Sequence, residues 1–395
     1  MLNETNVALG KTRSSIRELF EYGNKRKAEI GERNVYDFSL GNPSVPAPEE
    51  VKNALLDIIA NSDPVALHGY TSAQGAYSVR KTVADYLNKL FATKLDADCI
   101  YMTCGAAASL TITLNALVNV GDEVIAFSPY FPEYKVFCNH AGAVFVAVES
   151  ERDTFQIDFE KLEKALTAKT KAVIINSPNN PSGVVYGEGV IKKLAEVLKK
   201  FSAETGNTVY LISDEPYREL VFDGSIKVPC VFNYYAHSIV CYSYSKSLSL
   251  PGERIGYIAV NNAMAEFSEV YAGICGAGRV LGYVCAPALF QRLVERVYDK
   301  TSDISIYKAN RDTLCSALEE YGYKVVRPDG AFYLFVKALE EDAKAFTERA
   351  KEYELLLVAG DDFGVKGYVR IAYCVSADMI ERALPAFKKL AESYK

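Results

Sequence analysis

The chain contains no tryptophan, and only three of its 395 residues are histidine. Aromatic stacking at any site therefore falls to its 27 tyrosines and 19 phenylalanines. His68, His140 and His237 stand far apart, so a zinc site would need a convergence that the spacing does not suggest, and no metal is expected. The nine cysteines, scattered from Cys99 to Cys374, include no Cys-x-x-Cys pair. They read as small core hydrophobes of a reducing compartment. Basic charge is not in excess: 44 Lys and Arg face 50 Asp and Glu, a net charge of −6. That argues against nucleic acid bound through its phosphate backbone, and no basic block offers an anionic membrane a footing. No apolar run is long enough to span a bilayer. The start, Met1-Leu2-Asn3-Glu4-Thr5-Asn6, lacks the regions of a signal peptide. The expectation is a cytoplasmic protein.

What is present is a soluble globular balance, 49% hydrophobic and 24% charged, in a chain long enough for two domains. Residues 13–30 read as an amphipathic helix capped by Ser14 or Ser15. Residues 34–48, with Gly41-Asn42-Pro43 and two further prolines, read as an extended connector. Helices are expected at 49–60 and 72–92. Short apolar runs then recur at 99–103, 122–127, 143–148, 171–176, 208–213, 238–242 and 255–260. Helical stretches at 107–118, 132–141, 159–167 and 188–203 lie between most of them. This alternation predicts an α/β fold with a mostly parallel seven-stranded sheet covered on both faces. Beyond about residue 290 the texture changes. Charged amphipathic helices at 288–322, 338–352 and 376–394 flank strands at 323–327, 331–336 and 367–373, which reads as a smaller α+β domain. The expected division is a large domain over 46–289, with 1–45 and 290–395 forming an N-terminal arm plus small domain.

In an open parallel sheet, ligands bind beyond the carboxyl ends of the strands. The run 99–103 ends in Cys104-Gly105-Ala106-Ala107, small residues whose backbone N–H groups could cradle a phosphate at a helix start, or simply pack tightly. The run 171–176 ends in Asn176-Ser177-Pro178-Asn179-Asn180-Pro181, which either holds amides over the sheet edge or is a plain turn. The run 208–213 ends in Asp214-Glu215-Pro216-Tyr217. An acid there meets a cation such as a protonated pyridine nitrogen, or caps the next helix. The run 238–242 ends in Ser243-Tyr244-Ser245-Lys246, with Arg254 eight positions further on. That set suits a phosphate-bearing aldehyde, with lysine forming the imine and serine and arginine holding the dianion. Alone, it fits a surface lysine in a loop equally well.

Together with Tyr70, Gly75, Asn180-Pro181-Ser182-Gly183 and Tyr368-Val369-Arg370, in this order and spacing, these segments resemble the class I/II aminotransferases. These are the pyridoxal-phosphate-dependent transferases of fold type I, the aspartate aminotransferase family. The resemblance runs through nearly the whole chain. It implies pyridoxal 5′-phosphate held covalently as an internal aldimine on Lys246, which then moves the proton of the substrate α-carbon. It further implies that Asp214 pairs with the ring nitrogen and that Tyr217 and Asn180 hold the ring hydroxyl oxygen. Ser243, Arg254 and the backbone of Ala106 and Ala107 would hold the phosphate, and Phe131 would stack on the ring. Arg370 would grip the substrate α-carboxylate, which Gly41 lets the backbone approach. Tyr70 would reach the phosphate of a neighbouring subunit, implying a homodimer with shared sites. Two departures stand out: Phe131 where many relatives have tryptophan, and Tyr134 where some have histidine behind the aspartate.

The implied reaction moves an amino group from an L-amino acid, aspartate-like by preference, to a 2-oxo acid such as 2-oxoglutarate in two half-reactions. Arg279, upstream of Ala286-Pro287-Ala288, either reads a distal substrate carboxylate from the partner or makes a structural ion pair or dimer contact. Two alternatives share the fold. One is a β-lyase (C–S lyase) or aminocyclopropane-carboxylate-synthase-like enzyme. The other is a non-catalytic regulator, against which an intact Lys246, Asp214, Asn180 and Arg370 speak.

Overall fold

The structure, a computed structural model, describes residues 2–11 and 15–395. Its centre is a seven-stranded sheet. The strands lie in the order Ile100–Thr103, Gly256–Val260, Ser238–Ser243, Tyr210–Asp214, Thr170–Asn176, Glu123–Ser128 and Val144–Glu149. All pairings are parallel except those of Gly256–Val260, which runs antiparallel to both neighbours. Strands Ile100–Thr103, Tyr210–Asp214, Ser238–Ser243 and Gly256–Val260 are buried throughout, the consequence of helices on both faces. One face packs Val173, Leu211, Val240 and Ala259 beneath helices Tyr77–Phe91 and Glu188–Thr205. The other packs Val124, Ile174, Ile212 and Ile258 beneath Ala106–Leu117 and Phe267–Leu281. Glu188–Thr205 stops where Gly206 takes a left-handed φ of 70°, a conformation that costs glycine little.

A second core gathers Leu314, Phe332, Leu334, Ile371 and Phe387 with Phe38 and Val45 from the N-terminal stretch. It is built on a four-stranded antiparallel sheet, Val358–Ala359, Tyr368–Ala372, Tyr333–Lys337 and Val325–Val326. Helix Ala288–Val297, which the sequence division places with the small part, packs on Glu49–Asn61 and Tyr77–Phe91 of the large one.

Several expectations need correction. The helix expected at 72–92 begins at Tyr77, because Gly75 turns the chain at φ 101°, where a Cβ would fall 2.5 Å from Met102 Cγ. The stretch 288–322 is two helices, Ala288–Val297 and Ser305–Tyr321. Between them the Ser302 N–H donates to the Ser247 carbonyl at 2.7 Å, so the chain leaves the helix to clasp the segment behind Lys246. A helix that the apolar runs did not announce, Phe267–Leu281, carries Arg279 in its last turn. The connector 34–48 contributes a short strand, Tyr36–Asp37, parallel to Leu355–Leu356. The helix expected from residue 13 runs over Ser15–Ile30; its expected start and the Ser14 cap lie outside the described residues.

Candidate active site

The register places Asn176 opposite Asp214, and the next strand ends at Ser243. Thr103 pairs with Gly256, itself paired with Ser243, so the turn at Gly105 opens on the same edge. A cavity of about 310 Å³ lies over these strand ends. Lining it are Gly41, Ala106, Ala107, Phe131, Asn180, Asp214, Tyr217, Ser243, Lys246, Arg254 and Arg370. Tyr70 and Arg279 do not line it; Tyr70 is 98% exposed, and Arg279 is exposed in the last turn of its helix.

Asp214 is buried at the cavity wall. Its Oδ2 accepts a hydrogen bond from the Tyr134 hydroxyl at 2.5 Å, and its Oδ1 has no partner among the described residues. Burial pushes the carboxyl up to about 7, against the opposing pull of the Tyr134 hydrogen bond. Its backbone carbonyl accepts from Asn176 Nδ2 at 2.9 Å, and Asn176 Oδ1 accepts the Asn180 N–H at 2.7 Å. One strand-terminal amide thus ties the end of the neighbouring strand to the loop that carries Asn180.

Lys246 lies in the short helix Tyr244–Ser247 and donates through Nζ to the Gly41 carbonyl at 2.7 Å. Burial, with Arg254 and Arg370 nearby, depresses its ammonium to about 8. The amine is therefore partly neutral near physiological pH, the form that attacks an aldehyde.

Arg370 stands on the inner strand Tyr368–Ala372, between the rings of Tyr333 at 4.7 Å and Phe363 at 4.9 Å. It donates to the Ser39 carbonyl at 2.5 Å and to Asn180 Oδ1 at 3.3 Å. Its Nε is buried without a partner among the described residues, and burial lowers its pKa. A planar cation held this way, with a free donor, suits a carboxylate.

At the other end of the cavity the Ser243 hydroxyl meets the Ser245 hydroxyl at 2.7 Å, and Arg254 Nη1 reaches Ser245 Oγ at 3.5 Å. Helix Ala106–Leu117 begins beside them with no side-chain cap on its first turn. A Cβ at Gly105, whose φ is 89°, would fall 2.9 Å from Arg254 Nη2. Uncapped N–H groups, hydroxyls and a guanidinium on one spot make an anion cradle.

Some lining residues carried no separate signal in the sequence. Tyr333 sits in Ala331-Phe332-Tyr333-Leu334-Phe335, which reads as core strand; its hydroxyl lies 3.0 Å from that of Tyr217. Leu40 and Ile16 come from the N-terminal stretch. Asn176 was visible as a polar end to an apolar run, without a task.

A mostly parallel sheet with a lysine, a carboxylate and an arginine converging beyond its strand ends defines an enzyme of fold type I. The family model for aminotransferase class I and II matches residues 33–387. An aspartate aminotransferase of Thermotoga maritima is 30% identical over 382 residues, covering 96% of this chain and 97% of that protein. Among solved structures, an amino transferase of Eubacterium rectale is 55% identical with a TM-score of 0.98, covering 100% of this chain and 99% of that one. Aspartate aminotransferase from Thermus thermophilus, solved with maleate, is 26% identical with a TM-score of 0.85, covering 99% and 100%. The chain belongs to the class I and II aminotransferases, enzymes that transfer amino groups with pyridoxal phosphate.

The residues present fit that cofactor. The unpartnered Asp214 Oδ1 suits a protonated ring nitrogen, the cradle at Gly105 and Arg254 suits a phosphate, and Lys246 faces the same cavity as both. No helix among the described residues is long and apolar enough to cross a membrane.

Proposed function

We propose that the chain moves the amino group of an aspartate-like L-amino acid to a 2-oxo acid such as 2-oxoglutarate. The proposed form is a cytoplasmic homodimer with shared sites, its domains divided as the sequence suggests. The observation that carries this is a buried carboxylate, Asp214, with one oxygen unpartnered among the described residues, lining the cavity that Lys246 and Arg370 also line. When bound, pyridoxal phosphate supplies an aldehyde and a cationic conjugated ring that withdraws electrons from the substrate α-carbon.

The residues divide the rest. Asp214 holds the proton on the ring nitrogen, kept in place by Tyr134 behind it. Tyr217 and Asn180 hold the ring hydroxyl oxygen, and Phe131 covers the ring face. Ser243, Arg254 and the N–H groups of Ala106 and Ala107 hold the phosphate, joined by Tyr70 of a second subunit; its 98% exposure in one chain supports that assignment. Arg370 holds the α-carboxylate, which Gly41 allows close to the backbone. Lys246 would take the proton from the substrate α-carbon and deliver it to the cofactor's aldehyde carbon, the next carbon beyond the amino nitrogen. A second subunit's Arg279 reads a distal carboxylate. The maleate bound by the Thermus relative, a dicarboxylate, supports an aspartate-like substrate.

The test is a single turnover. Cofactor-loaded protein is given L-aspartate, L-glutamate, L-alanine or an aromatic amino acid, one at a time and without an acceptor. Stoichiometric release of the matching 2-oxo acid without ammonia supports amino transfer, and the responsive amino acid names the donor class. Continuous release of ammonia would replace this reading with side-chain elimination. For Arg279, full activity of Arg279→Ala on aspartate and glutamate would sink its assigned role.

A further inference from the structure

Tyr333 sits where three parts of the site meet, and the roles above leave it without a task. It opens strand Tyr333–Lys337, is buried and lines the cavity. Its hydroxyl lies 3.0 Å from the Tyr217 hydroxyl. Its ring lies under the Arg370 guanidinium at 4.7 Å. A Cβ on Gly41 would fall 1.8 Å from its hydroxyl, so only glycine lets that backbone lie where its carbonyl meets Lys246.

The hydrogen bond between the two tyrosines has a direction once the cofactor is considered. Each hydroxyl carries one proton, and burial raises both phenols, Tyr333 to about 12, so both keep it at neutral pH. If the Tyr217 proton points to the ring hydroxyl oxygen, Tyr333 has to be the donor between the pair. A donor behind Tyr217 makes Tyr217 itself a stronger donor.

We infer that Tyr333 is a positioning residue for amino transfer: its hydroxyl aims the Tyr217 proton at the cofactor, and its ring supports Arg370 in the orientation that grips the substrate carboxylate. The inference rests on the roles proposed above for Tyr217 and Arg370. It links the strand that carries Tyr333, in the small antiparallel sheet, to the cofactor's ring and not only to the substrate's carboxylate.

Two variants test the two halves. Tyr333→Phe keeps the ring and removes one oxygen. Its kcat should fall about tenfold, the rate equivalent of one hydrogen bond, with KM for the amino acid within about twofold of wild type. The pH midpoint of the bound cofactor's absorbance change should move upward, because a weaker Tyr217 donor stabilises the ring oxyanion less. Tyr333→Leu also removes the ring, and KM should then rise about tenfold. Unchanged kcat and midpoint in Tyr333→Phe would reduce the hydroxyl to packing. Unchanged KM in Tyr333→Leu would remove the ring from the account of Arg370. Should the leucine variant fail to fold, the phenylalanine variant still decides the hydroxyl. A wild-type protein that binds pyridoxal phosphate but transfers no amino group would overturn the functional reading, while the midpoint comparison would still judge Tyr333.

Discussion

Asp214 and Glu215 are neighbours in sequence, both buried, and their surroundings are opposite. Glu215 is saturated: Ser213 Oγ donates to one oxygen at 2.7 Å and Arg218 Nε to the other at 2.6 Å. Arg218 in turn donates to the Tyr257 hydroxyl at 3.0 Å and lies over the Tyr242 ring at 4.5 Å. Asp214 receives one hydrogen bond and keeps an oxygen bare toward the cavity. A buried charge with every partner supplied by its own chain holds the structure. A buried charge with a partner missing is reserved for something that binds, and it costs stability until that arrives.

Each prediction presses on that contrast. The largest effect is expected at Lys246, whose ammonium burial depresses to about 8. Lys246→Ala should lower kcat by about 10⁴-fold, measured in the single-turnover assay, while the protein stays folded. Asp214→Asn should cost about 10³-fold. The same substitution should stabilise the cofactor-free protein, and the sign follows from its pKa. A folded value of about 7 against an ordinary 3.8 means the native state holds a proton that the unfolded chain has released. Stability from this group therefore declines as pH rises from about 4 to 7 and is flat above. The stability gain of Asp214→Asn over wild type, read by denaturant unfolding, should grow across that window, reaching up to ~4 kcal/mol, and shrink when pyridoxal phosphate is bound. Arg218→Met should do the reverse. It strands Glu215 as an unpaired buried charge and should cost about 3–5 kcal/mol in denaturant unfolding, with kcat per folded molecule near wild type. The smallest effect is expected for Tyr134→Phe, which removes the donor behind Asp214. Cofactor affinity should weaken by about tenfold, read by fluorescence titration of the apoprotein. A Tyr134→Phe protein with unchanged affinity would show that Asp214 is oriented by the backbone alone.

The sheet was legible because its strands, the edge strand Val144–Glu149 apart, are buried on both faces and so read as unbroken apolar runs between amphipathic helices. The residues at the strand ends were legible for the same reason: Asn176, Asp214 and Ser243 interrupt apolar runs at a cost that asks for an explanation. The helix Phe267–Leu281 was not, since Gly273, Gly276 and Gly278 speak against a helix interior. Its fold is settled by close packing instead: a Cβ on Gly278 would meet the Tyr101 hydroxyl at 2.3 Å. The break between Val297 and Ser305 was hidden too, because it is made by Ser302 bonding to the distant Ser247.

By itself the sequence determined the order of strands and helices and the chemical types waiting at each strand end, because burial and backbone periodicity are local properties written residue by residue. Only the tertiary structure decided which oxygen of Asp214 stays bare, that Tyr134 stands behind it, and that Tyr333, more than a hundred residues from Tyr217, shares its hydroxyl hydrogen bond. Those are matters of distance between segments far apart in the chain. They are settled by packing two cores against one cavity, and no stretch of sequence holds that distance within itself.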